Sequence, residues 1–443
     1  MTDTLSRRAV LAGMTLAGAT PLLAQTLPTN PDVIIIGAGA AGMGAGRELH
    51  KRGVSVVIVE AAGRVGGRAY TESATLGAPV DHGCSWISGA THNPFTQIGK
   101  KGGFTLVNHT SADSDLFDID GNRASDADWA AYDRAWGALM RAVERAGAAG
   151  QDVPAASVIR EMPFGAAVQS WTGAMDYGVD FDRLSTADYY HGAESQPSYI
   201  VKEGLGAVVA TLAEGLPVSL DTTVQAVDWS GPGVAVETSR GTLRARACLV
   251  TVSTGVLNAG AIRFTPDLPA RKLQAAADIP MGLLMKVPMM FDGARLGLGE
   301  NNWVTYDIPA DKAGEACYFV AWPCGHDYLF GNIGGQFAWD LYAQGQEAVV
   351  DFALDALVHC VGSDAKQHFV KGFATDWADN PLTFGAYGAV RPGGWGARKV
   401  LAEPLAERLF FAGEAMGGSS SALVNGAFKS GKATAKAIAH ALA

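Results

Sequence analysis

The chain of 443 residues has few of the features that recruit metals, nucleic acids or membranes. Its five cysteines (84, 248, 317, 324 and 360) include no C-x-x-C pair, and its nine histidines show no metal-ligand spacing, so neither a zinc nor an iron–sulfur site is expected. An odd number of cysteines leaves at least one free thiol. Cys317 and Cys324 either pair in an oxidising compartment or serve as small core residues, and the sequence leaves both open. Basic residues are outnumbered, 34 Lys and Arg against 44 Asp and Glu, and they are scattered. The net charge of −10 therefore excludes a nucleic-acid footprint and suits a cationic ligand. No apolar run reaches the ~20 residues that a membrane-spanning helix needs, so no stable membrane anchor is expected.

What is present begins with an address. The segment MTDTLSRRAVLAGMTLAGATPLLAQ joins Arg7 and Arg8 to a short apolar run from Ala9 to about Ala19, with small residues near Ala24. A run of that length reads as a signal h-region. The arginine pair resembles a twin-arginine signal, with Val10 and Ala12 where that signal favours Phe and Lys. Residues 1–25 are thus expected to direct export of the folded protein to the periplasm by the twin-arginine machinery. The full chain is 48% apolar and 18% charged, ordinary for a globular protein, and what remains after residue 25 is longer than one hydrophobic core serves, so two domains are expected.

Residues 32–60 read DVIIIGAGAAGMGAGRELHKRGVSVVIVE. The run VIII suits a parallel strand buried on both faces, and Gly37, Gly39 and Gly42 follow it in G-x-G-x-x-G spacing. Those glycines permit a tight turn and let backbone N–H groups approach a pyrophosphate at a helix N-terminus. The helix stops at Gly53, and the second strand ends in Glu60, a carboxylate that accepts from a ribose diol and repels a 2′-phosphate. The next residues, AAGRVGGRAYT, bring Arg64, Gly66, Gly67 and Arg68. They make either a second anion-binding turn for a longer cofactor or a basic surface turn.

The stretch EAAGRVGGRAYT resembles the R-x-G-G-R segment of flavin amine oxidases, the family of monoamine, polyamine and L-amino-acid oxidases. DHGCSWISGATHNPF (81–95), DWADNPLTFGAYGAVRPG (376–393) and ERLFFAGEAMGGSSSALVNGAFKSGKATAKAIAHAL (407–442) extend the resemblance along the chain. It implies an α/β fold in which a Rossmann-like FAD-binding domain, a parallel sheet with a β-meander, is interleaved with a mixed α+β substrate domain. The expected segments are 31–84, 201–277 and 373–443 for FAD and 85–200 and 278–372 for substrate. Implied cofactor contacts are Gly37, Gly39, Ala40, Ala41, Gly42, Glu60, Ala61, Arg64, Gly66, Gly67, Arg68, Val224, Gly413, Glu414, Leu423 and Val424. Ala62 replaces an arginine that many relatives carry. Ala386 stands where monoamine oxidases bond the flavin through cysteine, so a non-covalent FAD is implied.

For the reacting end, the resemblance gives Trp86 as a cavity wall, although an ordinary core tryptophan is an equal reading, and Trp377 as a neighbour of the flavin. Tyr387 matches one wall of an aromatic cage for the amine, and Leu423 replaces the second wall. If 283–291 is a strand, Leu283, Met285, Val287, Met289 and Phe291 share one face, with Leu284, Lys286 and Met290 on the other. Lys286 is then either an edge-strand gatekeeper, with Pro288 beside it, or the family's lysine that holds a water beside the flavin. Apolar residues at 129, 132, 136, 139, 140 and 143 predict a helix capped by Ser125 or Asp126. Asp176, Asp180, Asp182, Asp188 and Glu194, against Arg183, read as a solvated acidic face.

The expected activity is oxidative deamination of a primary or secondary amine, with electrons passing to O2 or to a periplasmic carrier such as cytochrome c, in a homodimer. Its rivals are an L-amino-acid oxidase gripping a carboxylate with Arg391, a flavin desaturase and a non-catalytic flavin-binding scaffold.

Overall fold

The computed structural model describes residues 30–192 and 196–443; the arginine pair and Glu194 lie outside them. A five-stranded sheet, all parallel, is assembled in the order Leu409–Phe411, Ala247–Val250, Val33–Ile36, Val56–Val59, Val218–Ser219. The continuous apolar runs are explained by two cores, one on each face. Ile35, Ile58 and Leu249 point into one, and Ile34, Val57 and Cys248 into the other. The meander is also present: Val224–Asp228, Val234–Thr238 and Gly241–Ala245 pair antiparallel. Arg263–Thr265 joins it parallel to the first strand.

Helix Ala40–Lys51 crosses helix Val424–Leu442 closely because glycines stand at the crossing. A Cβ on Gly431 would come within 2.0 Å of the Ala41 carbonyl oxygen, and one on Gly44 within 2.8 Å of the Phe428 ring. Gly42 does the same between helix and strand, its Cβ position lying 1.9 Å from the Gly37 oxygen.

The second large sheet has six strands in the order Phe369–Gly372, Leu284–Phe291, Tyr328–Gly334, Tyr318–Val320, Trp303–Tyr306, Ser114–Phe117. Leu283, Met285, Val287, Met289 and Phe291 all enter one core, as their alternation requires. The gatekeeper alternative for Lys286 is corrected: its strand is paired on both sides, and Pro288, which has no N–H to donate, accepts from Phe373 N–H through its carbonyl (3.2 Å). Helix Asp126–Ala148 forms as expected. Ser125 is its N-cap and, with Asp128, closes a capping box, while Leu139, Met140 and Val143 are buried beneath it. All five cysteines are free thiols, so Cys317 and Cys324 are unpaired.

The solvated acidic face is also corrected. Asp188 is buried and grips Arg398 through two bonds, Nε–Oδ1 at 2.9 Å and Nη2–Oδ2 at 2.8 Å. Asp180 is half-buried, accepts from Gln336 N–H, and its pKa is raised by burial. Only Asp176 and Asp182 of the described members are exposed.

Candidate active site

One cavity of about 1800 Å³ runs from the carboxyl edge of the parallel sheet to the face of the six-stranded sheet. The cofactor contacts implied by the resemblance, Gly42 excepted, line it together with Trp86, Lys286, Trp377 and Tyr387; Gly42 makes the helix–strand contact described above.

At the sheet end, Gly37 takes φ +104° to turn the chain from strand into helix, and Gly39 caps helix Ala40–Lys51 without any side-chain partner. The first-turn N–H groups are thus offered to the cavity, where the helix dipole favours an anion. Glu60 holds the turn in place, accepting from Ala38 N–H (2.7 Å) with one oxygen and from Ala62 N–H (2.9 Å) with the other. Each oxygen keeps a second lone pair for a ligand hydroxyl. The Arg64–Arg68 turn packs directly on this one. Gly66 N–H donates to Ala38 O (2.9 Å), and a Cβ on Gly67 would lie 3.4 Å from Gly39 Cα. Arg64 donates to Gly67 O (2.7 Å) and covers Tyr70, its guanidinium 3.9 Å from the ring centroid. Ala61 and Val224 line the same end.

Midway, Arg68 donates to Ala386 O (2.8 Å) and to Glu414 (2.9 Å). Glu414 also accepts from Gly388 N–H (3.1 Å), yet its other oxygen is buried and has no partner among the described residues. Helix Val424–Leu442 begins beside it at Leu423, again with no side-chain cap. An unsatisfied buried oxygen and two uncapped helix starts on one cavity are what an extended dinucleotide would complete.

The far end is aromatic. Trp86 stacks on Trp303, with centroids 5.3 Å apart and planes at 16°, and Trp171 stands edge-on to Trp303 at 5.1 Å. Main-chain carbonyls fix two other walls: Trp377 Nε1–H donates to His82 O (2.9 Å) and the Tyr387 hydroxyl to Met175 O (2.6 Å). Burial, with Asp176 and Glu414 nearby, raises the Tyr387 pKa well above the usual phenol value, so it stays neutral. Lys286 is 2% exposed; its Nζ donates to Ser85 Oγ and to Asp81 O (3.3 Å) and lies 5.4 Å from the Trp86 ring and 4.9 Å from Phe330. Burial pulls its pKa down to about 8, opposed by the charge of Asp81.

Sequence inspection missed Trp171, Trp303, Thr305, Asn332 and Arg398 as lining residues. Asn332 shares a sheet face with Lys286 through the register Lys286↔Asn332, which the alternation of 328–334 with 284–291 reveals only once pairing is known. Arg391 does not line the cavity and is bound outside it to Asp278 (2.9 and 2.6 Å). Of the lining arginines, Arg398 is spent on Asp188 through Nε and Nη2, whereas the bonds of Arg64 and Arg68 to the protein run through Nη1.

Residues 165–439 match the family described as flavin containing amine oxidoreductase, and residues 35–98 match an NAD(P)-binding Rossmann-like domain. The chain is 28% identical over 442 residues to human lysine-specific histone demethylase 2, covering 93% of this chain and 53% of that protein. It thus spans about half the length of that relative. It is also 28% identical over 451 residues to polyamine oxidase 4 of Oryza sativa subsp. japonica, covering 94% and 90%. Among solved structures, a putrescine oxidase bound to putrescine superposes with a TM-score of 0.78 at 20% identity, covering 93% of this chain and 99% of that one. Cyclohexylamine oxidase from Brevibacterium oxydans IH-35A gives 0.77 at 24%, with the same coverage. At these identities the structural likeness speaks for the fold.

Proposed function

Because the chain belongs to the flavin containing amine oxidoreductase family, we propose that it oxidises a primary or secondary amine to an imine, which water converts to an aldehyde. The cofactor is FAD, and the residues present fit it: the two glycine turns, Glu60, the orphaned Glu414 oxygen and the uncapped start of Val424–Leu442 share one cavity. When bound, FAD supplies the redox chemistry by accepting a hydride from the carbon next to nitrogen. Ala386 offers no thiol, in keeping with non-covalent binding.

The chain's own work is to hold the amine uncharged and dry. An ammonium has no lone pair to drive hydride loss, and a chamber walled by Trp86, Trp171, Trp303, Trp377 and Tyr387 disfavours the charged form by desolvation. Lys286, anchored by Ser85 and Asp81, adds a cationic donor whose lowered pKa also lets it carry a proton near neutral pH. The carrying observation is this buried, depressed lysine facing an aromatic chamber continuous with the dinucleotide cradle. An amino-acid substrate is disfavoured by the engagement of Arg391 with Asp278 outside the cavity and of Arg398 with Asp188.

The proposal includes the interleaved segments 31–84, 201–277 and 373–443 for FAD and 85–200 and 278–372 for substrate, and a homodimer. It also includes export to the periplasm, supported by Arg7, Arg8 and the short apolar run. The acceptor is O2 or a periplasmic protein such as cytochrome c. The test is an anaerobic titration of the purified flavoprotein with monoamines, polyamines, cyclic amines and amino acids, followed by air. Bleaching of the flavin band by amines supports the proposal; bleaching by amino acids alone, or by none of them, refutes it. Slow recovery in air points to a protein acceptor.

A further inference from the structure

Asn332 is 3% exposed and lines the aromatic end of the cavity, and nothing in amine oxidation as described above uses it. It lies in strand Tyr328–Gly334, directly across from Lys286 on one side and from Tyr318 on the other. Residues opposite each other in antiparallel pairs project to the same face, so the amide and the lysine stand side by side over the cavity. Its Nδ2 donates to the Tyr318 carbonyl (3.4 Å), whereas its Oδ1 is buried with no partner. Exchanging the two ends of the amide would set its oxygen against another carbonyl oxygen, so the network fixes which end is free. Two of the three Lys286 protons are committed to Ser85 and Asp81, and no bond joins the lysine to Asn332. Thr305, nearby on the same sheet face, accepts from Trp171 Nε1–H (3.0 Å). A buried acceptor left open in a cavity is completed by what enters it.

We propose that Asn332 Oδ1 accepts a hydrogen bond from the N–H of the substrate's uncharged amine, making it a substrate-orienting residue. The assignment rests on amine oxidation being the activity. The chemistry fits the need: a carboxylate here would stabilise the ammonium and hold back the reactive free base, whereas a neutral carbonyl orients an N–H with far less of that bias. It follows that the residue favours amines bearing at least one N–H.

The test uses the holoenzyme and one amine in three forms: primary, N-methyl and N,N-dimethyl. Dissociation constants are read anaerobically from the shift of the flavin band and expressed per unit of free base. Asn332→Leu is expected to weaken the primary and N-methyl amines about tenfold and the N,N-dimethyl amine, which as free base has no N–H, hardly at all. Asn332→Ala gives the same pattern should the leucine variant fold poorly. A merely structural role would weaken all three alike, and that uniform loss, or no loss, overturns the assignment while leaving amine oxidation standing. If no amine perturbs or bleaches the wild-type flavin, amine oxidation fails and the role of Asn332 falls with it.

Discussion

Two lysines of this chain are buried to the same degree, and both have pKa values drawn down to about 8, yet they occupy opposite kinds of place. Lys272 ends a cluster of carbonyls: its Nζ donates to Val400 O (3.2 Å), Leu401 O (2.9 Å) and Glu403 O (2.6 Å), where helix Ala397–Ala402 runs out, and sits 4.1 Å from the Phe411 ring centroid. All three protons are used, and the residue does not line the cavity. Lys286 has a hydroxyl and one carbonyl, two aromatic faces, and an open side toward a chamber. A lowered pKa therefore does not by itself mark function; the unfilled space beside the amine does.

Removing the ammonium separates the two. Lys272→Met leaves three carbonyls without their donor and is expected to cost about 3 kcal/mol, read as a lower midpoint in urea. Lys286→Met removes a desolvated charge beside an apolar wall and should leave that midpoint unchanged or higher. The pH dependence sharpens the same contrast. Folding lowers each lysine pKa from 10.5 to about 8, so between those values the unfolded chain binds more protons and stability rises with pH. Below about pH 8 the penalty is complete and the slope from these groups vanishes. Each Lys→Met variant should flatten the rise measured by denaturant titration across that window. At the small end, Arg391→Ala removes an exposed pair with Asp278 and should change stability by under about 0.5 kcal/mol, with amine oxidation unaltered. Loss of activity in that variant would revive carboxylate recognition. Reductant should leave the midpoint unchanged, since the cysteines are free.

The nucleotide cradle was legible because it is local: strand, Gly37–Gly39 turn, helix and Glu60 follow one another within 29 residues of sequence, 32–60. The face of Lys286 was legible from period-two alternation. Arg398 with Asp188 was not, because local charge density around 176–194 carries no trace of a partner more than 200 positions away, and Asp188 was misplaced on the surface as a result. Trp303 and Asn332 reach the chamber only through sheet pairing with distant strands, which no window of sequence contains. At Gly42 the spacing shows that a glycine is needed but not why: a Cβ there would lie 1.9 Å from the Gly37 oxygen, a contact between helix and strand.

The most direct measurement is the anaerobic rate of flavin reduction by a reactive amine in wild type, Lys286→Met and Lys272→Met, each loaded with FAD and compared well below its unfolding midpoint. The Lys286 variant should be slower by on the order of 10²-fold, while the Lys272 variant reduces its flavin at the wild-type rate. Equal slowing of both, or wild-type speed in Lys286→Met, would contradict a catalytic part for the lysine that faces the chamber.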